Sequence, residues 1–91
     1  MKKVIWKYHL KTISHQIIKL PKGSEILSLT IEDKDLCLWA LVPQQTDLEE
    51  RHFRIIGAGL LLDDHFTSPY KFIGSCSTAP CNIYHVFETK D

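Results

Sequence analysis

Leu36-Cys37-Leu38-Trp39-Ala40-Leu41-Val42 is an unbroken apolar run, preceded by the polar Asp33-Lys34-Asp35 and stopped by Pro43. A run of this kind is either a strand covered on both faces or a piece of buried helix. Its shortness and the proline stop favour the strand, with Asp33-Lys34-Asp35 as the turn before it. A central strand needs neighbours, and the flanking sequence supplies them. In residues 25–31, Leu27, Leu29 and Ile31 share a face against Ser28 and Thr30. In residues 4–11, Val4, Trp6, Tyr8 and Leu10 oppose Lys7, His9 and Lys11, the alternation of a strand with one wet face.

Between these lies the β-branched stretch 16–20, closed by the turn chemistry of Pro21-Lys22-Gly23-Ser24. Residues 12–15 read as the tip of a hairpin joining the first two strands. Downstream, residues 43–50 form a polar excursion, either a long loop or one helical turn. Residues 51–56 return as a strand with Phe53 and Ile55 opposite His52 and Arg54. Gly57 and Gly59 around Ala58 suggest a bulge or a close backbone approach. Residues 60–70 are the least regular, and two further strands, 71–77 and 82–88, follow. About seven short strands with polar turns and no long stretch of period 3.6 predict an all-β chain. The layout expected is a small antiparallel sandwich or barrel-like meander with little or no helix.

The chain has 91 residues, room for a single domain spanning 1–91 with one thin core. Hydrophobic residues make up 44% of it, which supplies that core. Eleven basic and eleven acidic side chains cancel. The balance argues against a general nucleic-acid binder and against a surface built to sit on anionic lipid. No apolar stretch approaches the ~20 residues that span a bilayer, and Lys7, His9 and Lys11 interrupt the start, so neither a membrane segment nor a signal peptide is expected. Three cysteines fit a reducing compartment better than a disulfide framework, and the cytoplasm is the expected location.

Several constellations invite chemistry. Cys76, Cys81 and His85 have metal-ligating side chains, but their spacing fits no standard zinc pair. Two thiols beside a hairpin turn and a strand histidine is the preferred reading, and no metal or cofactor is expected. Asp63-Asp64-His65 reads as a solvated loop, because chain neighbours seldom converge on one point. No serine occupies a Gly-x-Ser-x-Gly elbow, and Gly57-Ala58-Gly59 lacks the remainder of a phosphate loop, so no catalytic residue is assigned. Arg51, His52 and Arg54 form a compact basic cluster suited to a phosphate or carboxylate. Trp6 and Tyr8 add aromatic surface near the start. These five residues are the binding candidates, with a face of local ion pairs and ordinary core aromatics as the competing reading.

Trp6-Lys7-Tyr8, Leu20-Pro21-Lys22-Gly23 with Ile26-Leu27-Ser28, and Leu36-Cys37-Leu38-Trp39-Ala40-Leu41-Val42 together resemble a family of short uncharacterised proteins of bacteriophages and prophages. Gly57-x-Gly59, Phe72-Ile73-Gly74 and His85-Val86-Phe87 extend the similarity to about residue 88. The resemblance implies a phage or prophage origin and residence in the host cytoplasm; it implies no activity, cofactor or catalytic residue. Leu60-Leu61-Leu62 departs from the more polar pattern of that family. Three functions are compatible with these features. The first is a non-enzymatic accessory module that binds a host protein, for example to antagonise a defence system. The second is a sponge for a small anionic ligand such as a nucleotide, and the third a minor virion or assembly component. The segment 36–42 needs cover on both faces and no amphipathic helix is at hand, so either a second sheet layer or another subunit must supply it; the second alternative gives a homodimer.

Overall fold

A computed structural model describes residues 2–59, 71–79 and 82–90. Seven strands appear in chain order: β1 (Lys3–Leu10), β2 (His15–Pro21), β3 (Glu25–Glu32), β4 (Asp35–Pro43), β5 (Leu48–Gly57), β6 (Lys71–Ala79) and β7 (Asn82–Thr89). They form two antiparallel sheets, one ordered β1-β4-β3 and the other β2-β5-β7-β6. The chain is all-β among the described residues, as the alternation predicts.

The apolar run is the middle of β4, which is itself the central strand of the three-stranded sheet. Leu36 and Leu38 point into the space between the sheets and are fully buried. They meet Leu20 of β2, Phe53 and Ile55 of β5 and Val86 of β7. Cys37 and Trp39 point the other way. Their cover comes from the same sheet: Trp39 Nε1 donates to Thr30 Oγ1 at 2.8 Å, Lys7 Nζ lies 5.9 Å from the Trp39 ring, and Cys37 is shielded beside His9. One face of β4 is thus covered by the second sheet and the other by neighbouring side chains, so neither a helix nor a second subunit is required for it.

The turns follow local chemistry. Asp33 and Lys34 both have positive φ (51° and 71°), and Glu32 pairs with Asp35, a two-residue hairpin of the primed type that matches strand twist. At the β2–β3 turn, Gly23 has φ 86° while Ser24 N–H and Oγ–H both donate to the Pro21 carbonyl, at 3.1 and 2.6 Å. Glycine holds that left-handed position at no steric cost.

Three local expectations are corrected. Strands β1 and β2 are not a hairpin; β1 pairs with β4 and β2 with β5, so the link between them crosses from one sheet to the other. The Gln16 side chain makes the crossing possible, accepting from Lys11 N–H at 3.0 Å and donating to the Lys11 carbonyl at 2.7 Å. These bonds replace the ladder partners that Lys11 lacks. Leu27 does not share a face with Leu29 and Ile31, because a bulge between Ile26 and Ser28 shifts the register and leaves Leu27 exposed. Finally, β5 begins at Leu48, which shortens the polar excursion after Pro43.

Candidate functional site on the four-stranded sheet

Alternation along β5 decides what the four-stranded sheet shows to solvent. Phe53 and Ile55 enter the core, so His52 and Arg54 must face outward. Register then fixes their neighbours. Arg54 lies opposite His15 on β2 and opposite Phe87 on β7, and Phe87 lies opposite Phe72 on β6. One row therefore crosses all four strands: His15, Arg54, Phe87, Phe72. The rings of Phe72 and Phe87 are 5.3 Å apart and tilted by 59°, and Phe72 is 55% exposed. Directly opposed side chains on one sheet face are the unit of contact in an antiparallel ladder.

The adjacent row places Ile17 opposite His52. His15 and His52 stack with centroids 5.3 Å apart and planes 12° from parallel, and His15 Nε2 is 3.1 Å from His52 Nδ1. On the other side of the main row, His85 Nδ1 is 2.6 Å from Ser75 Oγ. Three histidines distant in sequence thus share a face with one arginine and two phenylalanines. Ile17, beside the histidines on β2, and Ile83, beyond His85 on β7, are also exposed on this face.

The two arginines have opposite settings. Arg51 turns into the sandwich, where Nε and Nη2 bind both oxygens of Glu88 and Nη1 donates to the Ser24 carbonyl at 2.9 Å. The Glu88 hydrogen bonds hold its guanidinium above the ordinary range, and the pair ties β5 and β7 to the start of β3. Arg54 has no ion pair or hydrogen bond among the described residues, and its Nε is out of contact with solvent without a partner. Of the basic cluster 51–54, the structure keeps His52 and Arg54 together and separates Arg51 from them.

Trp6 and Tyr8 lie elsewhere, on β1 of the three-stranded sheet. Both have the core-facing parity, but β1 is an edge strand. Tyr8 packs against the core, and burial pushes its phenol above the ordinary value. Trp6 is 58% exposed and, with Ile5, Lys7, His9 and Trp39, lines an open depression of about 450 Å³. Lys7 is engaged there with Glu32 at 2.5 Å.

Other constellations carry less chemistry. Cys37 Sγ lies 3.7 Å from His9 Nδ1, a thiol beside an imidazole. Yet the thiol is fully buried and pushed upward, by burial first and by Glu32 second, so it is held as the unreactive form. Cys76 faces the core opposite Tyr84, whereas His85 faces outward opposite Ser75. Those two do not share a face, and Cys81 lies outside the described residues, as do Asp63, Asp64 and His65.

His15 and Phe72 carry no local signal as parts of a site, and His85 stands out in the sequence only through its spacing from two cysteines. The only clue was strand parity, and it speaks only once the partners of each strand are known. No curated protein and no solved structure matches the chain. A family described as "Domain of unknown function (DUF7352)" matches residues 1–91, and the chain belongs to that family.

Proposed function

We propose that this protein is a non-enzymatic binding module whose contact surface is the outer face of the four-stranded sheet, and that its partner is a host protein met in the cytoplasm. The observation that carries the reading is the row His15-Arg54-Phe87-Phe72, which crosses all four strands. Arginine and aromatic side chains dominate binding hot spots. A phage accessory setting, with antagonism of a defence system as one outcome, rests on the resemblance of the sequence stretches given above.

The test compares proteins that co-purify from host cells with the wild-type chain and with Phe72→Lys. Phe72 is exposed, so the variant keeps the fold, which circular dichroism checks. A stoichiometric partner held by the wild type and lost by Phe72→Lys is the expected result. The same partners held equally by both would overturn the assignment of this face. A second reading, capture of a small anionic ligand, is favoured by one specific observation, the Arg54 guanidinium without an ion pair among the described residues.

A further inference from the structure

We infer that this face contains a site for a phosphorylated planar small molecule of the nucleoside-monophosphate class. Arg54 and the His15–His52 pair would take the phosphate, and Phe72 and Phe87 the ring. The inference deepens the reading of the face as a binding surface and rests on it.

Arg54 gives the first argument. A guanidinium presents five donors in a planar fork suited to phosphate. Arg51 satisfies its fork within the protein, on Glu88 and Ser24. Among the described residues Arg54 satisfies none of its own, and its Nε is shielded from water without a partner. Burying a polar group unpaired costs on the order of 1–3 kcal/mol, more when it is charged. The terminal nitrogens have no protein acceptor among the described residues, and an anion bound to them would pair the guanidinium charge by a charge-assisted bond, leaving the shielded Nε–H as it is.

The histidine pair gives the second. Two neutral imidazoles carry two ring N–H groups between them, and the 3.1 Å contact uses one. If His15 Nε2 donates, His52 keeps its proton on Nε2; if His52 Nδ1 donates, His15 keeps its proton on Nδ1. In both arrangements one N–H remains outside the pair. The pair stands beside Arg54, directly opposite it at His15 and two residues along β5 at His52. The carboxylate of this face nearest on β5 is Glu50, and it lies opposite Lys19 in register. The site therefore offers a cation and at least one neutral donor to an oxyanion.

The third argument is spacing. Adjacent strands lie about 4.8 Å apart, so Phe87 is one strand and Phe72 about 10 Å across the sheet from Arg54. That separates a phosphate subsite from an aromatic subsite by about the reach of a ribose. Phe72 is exposed and leans on Phe87, so a planar base has a ring to lie against. Zero net charge provides no long-range attraction for a polyanion. One guanidinium matches one phosphate.

The experiment is an amide-resolved NMR titration of the full chain with AMP, GMP, CMP and UMP, and separately with adenosine and inorganic phosphate. Expected are shifts at His52, Arg54, Phe72 and Phe87, with the best nucleotide at least about tenfold tighter than phosphate or adenosine. Arg54→Gln should lose about tenfold or more of that affinity. Phe72→Ala should weaken the nucleotide and leave phosphate unchanged, and Trp6→Ala on the other sheet should change neither. No shift with any of the four nucleotides overturns the inference. So does equal affinity for nucleotide and phosphate, or unaltered binding by an Arg54→Gln protein whose spectrum is otherwise native. If nucleotides fail while partner capture still depends on Phe72, the site is overturned and the protein-binding reading stands; loss of both removes both.

Discussion

Replacing Arg51 by methionine removes the cation that holds the partly buried Glu88 carboxylate. The two side chains are 18% and 15% exposed, so the pair is mostly out of water but not sealed. Removing one member of a fully buried pair costs about 3–5 kcal/mol, because the remaining charge is left without compensation. Residual exposure reduces that to about 2 kcal/mol, since water reaches the carboxylate and screens it. The Ser24 carbonyl also loses a charged donor, which adds about 1 kcal/mol. The expected total is about 3 kcal/mol, a large part of the roughly 5–10 kcal/mol that holds a domain of this size together. Urea denaturation followed by tryptophan fluorescence reads it directly. With an m-value of about 1 kcal/mol/M the midpoint should fall by roughly 2–3 M. The double variant Arg51→Met/Glu88→Met should recover at least half of the loss, because the carboxylate left without Arg51 is then only Glu49, which is exposed enough for water to screen it. A single-variant loss below about 0.5 kcal/mol, the scale of an exposed ion pair, would refute the structural role given to Arg51.

Three further outcomes follow from the same structure. Lys34 has left-handed backbone at φ 71°, so Lys34→Gly should raise stability by about 1 kcal/mol in a thermal melt, and a loss would contradict the turn assignment. Cys37, buried and held as the thiol, should resist iodoacetamide at neutral pH and react only on unfolding, as peptide mass spectrometry would show; rapid native labelling argues against it. The Tyr8 phenol is raised by burial. Above the ordinary value of about 10 the unfolded chain ionises while the native chain does not. Stability is therefore full below that value and falls as pH rises through the native pKa. Tyr8→Phe should remove that part of the alkaline decline, and an unchanged pH–stability curve would count against the burial of Tyr8.

Periodicity made the strands legible because each reports its own two faces. Residues 51–56 show it well: His52 and Arg54 oppose Phe53 and Ile55 in the sequence and in the structure. The apolar run 36–42 likewise reads correctly as a central strand. What periodicity lacks is the identity of the neighbour. Nothing local in residues 12–15 distinguishes a hairpin from a crossing between sheets, and the Gln16 amide that bonds back to Lys11 beside the crossing has no sequence signature. The Leu27 bulge escapes for a related reason, since a single extra residue changes face without changing composition.

The candidate site depends still more on pairing. Arg51 looked like part of a basic cluster with His52 and Arg54, and only Glu88, distant in the chain, shows that it is structural. His15 and Phe72 gain their place only through two different ladders, β2 with β5 and β6 with β7. Zero net charge, by contrast, was informative from the start. It directs attention to a single local guanidinium rather than to an extended basic surface.

The most direct test of the outer face as the contact surface is photo-crosslinking in living cells. A photoreactive phenylalanine analogue replaces Phe72 in one protein and Trp6 in another. Both positions are more than half exposed, at 55% and 58%, but they lie on different sheets. A discrete adduct from position 72, absent from position 6, is the predicted result. An adduct from position 6 with none from position 72 would contradict the account and move the contact to the edge of the three-stranded sheet.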